Sequence, residues 1–473
     1  MDLVLTIASI VIAIIAVFTT RYAYKWSSPK RKGILPPGSM GFPFIGETLQ
    51  LNFSSPSIDL HTFFAKRFKR YGPIFRTNVA GRPVIVTADP EFNHFLLRQD
   101  GKLVVPWGMD TFAKIFQQSK QFSNQKYNRS LILSYFGVET LKEKLLPQME
   151  DVVNKTLVKW STQASVELKH ATMDMTLNFG AQLLFGGDFE DAPFDASKMY
   201  MDLTEGQMCF PLNFPGSTHH KCLQIHKRLR GWLKGVVEKR LASPKRGHGN
   251  LLDHLIQDIS TDQSDIKEDV IAQLLFGFSF NIAPTIASTL ALAIKLLADH
   301  PTTLEELTAE HEAIFKNREN LDTPLTWSEF KSMTFTIQVI NEVLRLGNIA
   351  PGLYRRAMKD IPVNGYIIPQ GWGIIIASSA MHLNPSYFED PLSFNPGRWK
   401  DINPEVVSKC FMPFGSGMKQ CAGAEYSRAF MAAFLHVLVS KYRWKMVKGG
   451  KIVRSPLINF PDGFHFKISK KKT

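Results

Sequence analysis

Apolar residues along this chain recur mostly at helical spacing. Behind Gly423, the positions Tyr426, Phe430, Ala433, Phe434, Val437 and Leu438 share one face, which predicts a helix packed on a core. A second helix is predicted over residues 126–136, which include Arg129. A third opens at Thr326, where Thr326 and Glu329 form a capping box at the head of TWSEFKSMTFTIQVINEVLRL. Residues 270–294 carry no charge at all. That length alone would suit a membrane span. Asn281, Pro284, Thr285, Ser288 and Thr289 in its middle, Glu268 and Asp269 before it and Lys295 after it favour a long buried helix instead. The alternating, β-branched run at 73–92, with Ala80 and Gly81 at its turn, predicts a hairpin. The sum is a mainly α fold with a small β region (α+β).

The N-terminus has a pattern of its own. Residues 3–20 are uncharged and rich in Ile, Val and Ala, and Arg21, Lys25, Lys30, Arg31 and Lys32 follow. Basic residues on that flank predict a transmembrane anchor at 1–20 with the body of the protein cytosolic. A cleaved signal peptide, the competing reading, would carry its positive charge before the apolar run. Residues 21–50 read as a basic, Pro/Gly-rich hinge: Pro36 and Pro37 stiffen it, and Gly38, Gly41 and Gly46 supply turns. The body is then 51–473. A chain of 473 residues exceeds a typical single core of about 250–300 residues, yet no linker or repeat divides it, so one large unit is expected.

Charge and cysteine usage narrow the function classes. The formal net charge is +14, without an aromatic-interleaved basic stripe, which argues against nucleic acid as a partner. Basic residues cluster after the anchor, between His219 and His248, and at Lys470, Lys471 and Lys472. They suit lipid headgroups, an acidic redox partner, or a plain solvated face. Cys209, Cys222, Cys410 and Cys421 form no C-x-x-C pair, so neither a zinc site nor a disulfide framework is indicated.

One of those cysteines stands apart. In FMPFGSGMKQCAGAEYSRAF, Gly415, Gly417 and Gly423 bracket Cys421 just before a helix. Glycines let a loop lie flat against a planar cofactor, and a helix N-terminus stabilises a thiolate. One reading is therefore a thiolate axial ligand of haem iron; the other is a Gly-rich turn with an inert cysteine. Further back, Glu342 and Arg345 share a helix face among Val339, Ile340, Val343 and Leu344, where a buried ion pair needs additional hydrogen bonds.

The stretch Phe414, Gly415, Gly417, Cys421 and Gly423 resembles the cysteine signature F-G-x-G-x-R-x-C-x-G of the cytochrome P-450 monooxygenases, with Lys419 in place of the usual Arg. The resemblance extends through the anchor, the P-P-G hinge, the uncharged helix, E-x-x-R and FNPGRW. It implies the P-450 fold, haem b bound through Cys421, and O2 and NADPH-derived electrons delivered by NADPH–cytochrome P-450 reductase. Cofactor-binding positions implied are Cys421, Arg129, Gln125, Arg355, Lys419, Phe414 and Gly423. Arg398 of FNPGRW would join Glu342 and Arg345 in a structural network. The oxygen-activating Thr maps to Thr285, and the family's acid maps to Pro284, so the carboxylate is missing.

GETLQ, FPLNFPGS, KSMTFTIQVINEVLRLGN and CAGAEYS resemble the plant members that oxidise triterpenoid and sterol skeletons. That likeness implies a hydrophobic terpenoid or sterol substrate, an endoplasmic-reticulum location and a pocket lined by Trp107, Phe112, Met208, Phe210, Phe278, Ala283, Ile349, Leu353 and Leu457. The segment GQMCFPLNFPGSTHHKCL, apolar and broken by Pro211 and Pro215, would roof it. Two rivals remain at this point: a haem-thiolate lyase, isomerase or side-chain-cleaving enzyme working on an oxidised sterol, and a non-catalytic haem- or sterol-binding protein.

Overall fold

The computed structural model describes residues 17, 19–20, 33–43, 45–108, 113, 125–207, 209–242, 249–261, 268–318, 320, 323–350, 352–455 and 457–471. Nearly all of the predicted anchor at 1–20, much of the hinge, Phe112, Met208 and the Gln125 side chain lie outside the described residues.

The uncharged run forms one helix, Glu268–Asp299, buried along most of its length. Among the described residues it is the one helix long and apolar enough to cross a membrane, yet it lies inside the fold. The Leu168–Phe185 helix packs along it. There the Thr172 hydroxyl donates to the Ala287 carbonyl (3.2 Å) and the Thr176 hydroxyl to the Ala283 carbonyl (3.3 Å). The helix after the cysteine, Ala424–Lys441, is more deeply set than a one-faced pattern implies: Met431, Ala432, Leu435 and His436 on its other faces are buried as well. It is enclosed by Leu146–Ser161 on one side and Thr334–Gly347 on another, which buries Ala429–Val439 on every face.

The predicted helix from Thr326 is in fact two. The capping box of Thr326 and Glu329 opens a short helix, Trp327–Ser332, and Met333 interrupts before Thr334–Gly347 begins. The break is held from outside. The Glu310 carboxylate accepts from the Phe335 and Thr336 amides (2.6 and 2.9 Å), covering donors that a new helix start leaves unpaired.

Strands are few. Ile74–Val79 and Arg82–Thr87 form the predicted hairpin, with Ala80 at φ 51° and Gly81 at φ 80°. Positive φ at both turn residues matches the strand twist. Gly373–Ile376 joins in parallel, and Leu353–Ala357 and Val104–Pro106 complete a five-stranded sheet. The hinge docks on this sheet through Gly38, at φ 144°, where a Cβ would lie 2.0 Å from the Arg76 carbonyl oxygen. The sheet carries Arg355 and Leu353 up to the cysteine loop.

Candidate active site

The cysteine loop is closed by its own backbone. The Cys421 amide donates to the Phe414 carbonyl (2.8 Å), and the Gly415 amide to the Met412 carbonyl (3.0 Å). Gly417 has φ 70°, and a Cβ there would meet the Leu97 carbonyl oxygen at 2.5 Å, so only glycine fits. The Cys421 sulfur opens onto a cavity. Burial pushes its thiol pKa up, while the Gly423 amide and the charges of Arg129 and Arg428 pull it down.

That cavity has a volume of about 510 Å³ and lies between the loop and the long helix. Cys421, Phe414, Gly415, Gly423 and Lys419 form one wall, Phe278, Ile282, Thr285, Ile286 and Thr289 another, and Leu344, Leu353 and Arg355 the rim. A second cavity of about 260 Å³ adjoins it, lined by Trp107, Met173, Met201, Phe280, Pro284, Ser288, Tyr354 and Leu457 among others. The two share Asn281, Thr285, Ile349 and Ala350. Thr285 therefore borders both the cysteine slot and the apolar chamber.

At that border the long helix departs from regularity. Pro284 has no N–H, so the Phe280 carbonyl loses its helical donor. The Thr285 hydroxyl donates back to the Asn281 or Ile282 carbonyl (3.1 and 3.2 Å), which leaves its lone pairs for the cavity. The Asn281 side-chain Nδ2 donates to the Gly277 carbonyl (2.6 Å).

The basic residues are placed unequally. Arg355 lines the slot but is held as a bidentate pair on Asp100, Nε to Oδ1 at 2.7 Å and Nη2 to Oδ2 at 2.9 Å, with Nη1 donating to the Tyr354 carbonyl (3.0 Å). Two of its five N–H groups remain for a ligand. Lys419 lines the slot, and no acceptor among the described residues reaches its ammonium. Arg129 is not in the lining; its Nη1 donates to the Gln420 carbonyl (2.6 Å), so it grips the cysteine loop from outside.

Glu342 is fully buried and saturated. Arg345 takes both its oxygens (2.9 and 2.8 Å), Arg398 Nε donates to Oε1 (3.0 Å), and the Trp399 indole and the Asn395 amide complete the set. Arg345 also donates to the carbonyls of His382, Pro391 and Ser393. His382 Nε2 in turn accepts from the Met412 amide (3.0 Å), the first residue turning into the cysteine loop. The network is thus two hydrogen bonds from Met412, two residues before Phe414.

The family model of cytochrome P-450 matches residues 36–469. The chain belongs to that family. It is 47% identical over 466 residues to the beta-amyrin 16-alpha-hydroxylase of Maesa lanceolata, covering 97% of this chain and 98% of that one. It is 44% identical to the cucurbitadienol 11-hydroxylase of Siraitia grosvenorii over 472 residues, covering 98% and 100%. Among solved structures, a retinoic acid-bound cyanobacterial P-450 superposes with a TM-score of 0.81 at 23% identity, over 93% of this chain and 100% of that one. A P-450 takes haem, O2 and NADPH-derived electrons.

Within this P-450, the predicted pocket residues divide. Trp107 and Leu457 line the apolar chamber, Phe278 and Leu353 the cysteine slot, and Ile349 both. Ala283 lines neither; it is buried on the side of the long helix that packs on Leu168–Phe185, where its carbonyl accepts from Thr176. Phe210 also lies outside both linings, in the loop after the Ala196–Gly206 helix. Sequence reading missed Asp100, Arg428, Trp399 and His382. Arg428 follows Cys421 by two helical turns and stacks 4.7 Å over the Phe414 ring, a spacing that helical periodicity could have flagged. Asp100 and His382 come from remote segments and leave no local signal.

Proposed function

We propose that this P-450 is a monooxygenase that hydroxylates a triterpenoid or sterol skeleton, with Cys421 as the axial ligand of a haem in the slot. The observation that carries the reading is that Cys421 and Thr285 line one cavity, which meets an apolar chamber at Thr285. The slot fits the group: a thiol on one wall, apolar side chains (Ile282, Ile286, Leu353, Phe414) on its faces, and Arg355 and Lys419 for anionic arms. Lys419 would act there as a point charge, lacking the fork of an arginine. When bound, haem supplies activation of O2 for insertion of one oxygen atom into a C–H bond, using electrons from NADPH through a membrane-bound reductase.

The chain's own residues supply position and protons. The Gly423 amide and the fields of Arg129 and Arg428 favour the Cys421 thiolate against burial. Thr285, whose proton bonds back into its helix, offers its lone pairs to a water in the cavity and would hand a proton on by rotating its hydroxyl off the Asn281 carbonyl. Trp107, Met173, Met201, Phe280 and Leu457 exclude water and hold an apolar skeleton, the methionines yielding to its shape. That the two hydroxylases above act on beta-amyrin and cucurbitadienol supports the substrate class. The body of the protein would sit on the cytosolic side of the endoplasmic-reticulum membrane, held by residues 1–20 and facing the reductase.

Microsomes containing this chain and a reductase, fed triterpenes and sterols, should form products one oxygen heavier, dependent on NADPH. Pro284 is the one observation favouring a lyase or isomerase, since the family's acid is absent. Products of unchanged oxygen count, formed without NADPH, would establish that reading. Tight binding of a sterol without any product would indicate a binding protein.

A further inference from the structure

We infer that Lys169, Glu205 and Asn459 form the polar end of the apolar chamber and take a hydroxyl carried by the substrate at the end remote from the oxidised carbon. The inference rests on the reading that this chamber holds an apolar skeleton. The three residues come from separate elements: the first turn of Leu168–Phe185, the last turn of Ala196–Gly206, and the strand Leu457–Asn459. Lys169 Nζ donates to Glu205 Oε1 (2.9 Å) and to Asn459 Oδ1 (2.7 Å), and Asn459 Nδ2 donates to Glu205 Oε1 (3.0 Å).

All three line the chamber and none lines the cysteine slot, whose shared wall is Asn281, Thr285, Ile349 and Ala350. Lys169 and Glu205 are the only Lys, Arg, Asp or Glu residues among the chamber's described lining. The Lys169 side chain is 13% exposed and that of Glu205 49%, so the cluster sits where the chamber reaches the surface.

Its unused valences define the ligand. An ammonium has three protons, and two of those on Lys169 are taken. Glu205 Oε2 has no partner among the described residues. One free donor beside one free acceptor matches a hydroxyl, which accepts from Lys169 and donates to Glu205. A carboxylate would meet the charge of Glu205. A bare hydrocarbon would displace water from both groups and return nothing. A skeleton anchored here presents its opposite end to Thr285, so the cluster would set which carbons can be oxidised.

The test uses purified haem-loaded protein in lipid discs, titrated optically with beta-amyrin and with the hydrocarbon lacking its hydroxyl. The wild type should bind the alcohol at least about tenfold more tightly, the order expected of one hydrogen bond to a charged group. Lys169→Met should weaken alcohol binding about tenfold and leave hydrocarbon binding within about twofold. Glu205→Ala, at a half-exposed side chain, should act in the same direction and covers the case in which Lys169→Met fails to fold. Equal wild-type affinities for the two probes, or equal loss of both in a variant that keeps its haem, would overturn the hydroxyl site while leaving the skeleton reading in place. Binding of neither probe would overturn both.

Discussion

The sulfur of Cys421 sits between opposing influences: burial favours the neutral thiol, and an amide with two guanidinium groups favours the anion. An iron ligand at this position would complete the balance, because a coordinating thiol is deprotonated outright. Cys421→Ser should therefore abolish the reduced carbon-monoxide absorption band of a thiolate-ligated haem; retention of that band would assign the ligand elsewhere. Thr285 carries the second residue-level prediction. A positioned proton donor contributes on the order of 10²–10⁴-fold in rate, and in the proposed reaction, with proline at the adjacent position, the burden would fall on this hydroxyl. Thr285→Ala should consume NADPH while releasing peroxide. Unchanged coupling would point instead to Ser288, which also lines the chamber.

Between elements, the Glu342 network does the joining. The Thr334–Gly347 helix supplies Glu342 and Arg345, the segment at Arg398 and Trp399 closes over them, and His382 passes the contact to the cysteine loop. Five donors converge on one buried carboxylate, so deleting it strands Arg345 without a counter-charge at 0% exposure. Glu342→Ala should cost roughly 3–5 kcal/mol and yield little folded, haem-loaded protein. Normal haem content with lost turnover would contradict the structural role. E-x-x-R was legible in the sequence as a helix-face pair, and Arg398 through resemblance. Trp399 and His382 were not, because their part depends on chain returning from elsewhere.

Across the whole molecule, buried histidines tie stability to pH. Burial, followed by the charges of Arg345 and Arg454, pushes His382 down to about 3, and burial pushes His311 down to about 4. Unfolded, both would titrate near the ordinary value of 6.5. Below that pH the unfolded chain binds protons that the fold refuses, so stability is whole above 6.5 and is lost as pH falls toward 4 and then 3. Each histidine contributes about 1.4 kcal/mol per pH unit within its window. His170, raised to about 9 chiefly by its hydrogen bond with Asp174, acts only above 6.5. Thermal midpoints should decline steadily from pH 6.5 to 4; a flat profile there would contradict neutral burial. Topology offers a separate check. If the body is cytosolic, as proposed, the sequons at Asn52, Asn128 and Asn154 should carry no glycan, and a glycosidase-sensitive mass shift would reverse the orientation.

Local patterning was enough to determine the long apolar helix, the hairpin turned at Ala80 and Gly81, the capping box of Thr326, and a cysteine set apart by glycines, because each depends on neighbours within a few residues. Tertiary structure alone decided the rest. It broke the third helix at Met333, since the cap that allows the break is Glu310 from another helix. It turned Ala283 away from the chamber and Arg129 onto the loop, since a side chain's face is set by what packs across from it. It also brought Lys169, Glu205 and Asn459 together across 290 positions of chain. No periodicity encodes such a meeting, because hydrogen bonds between distant segments form only after the core has placed their backbones.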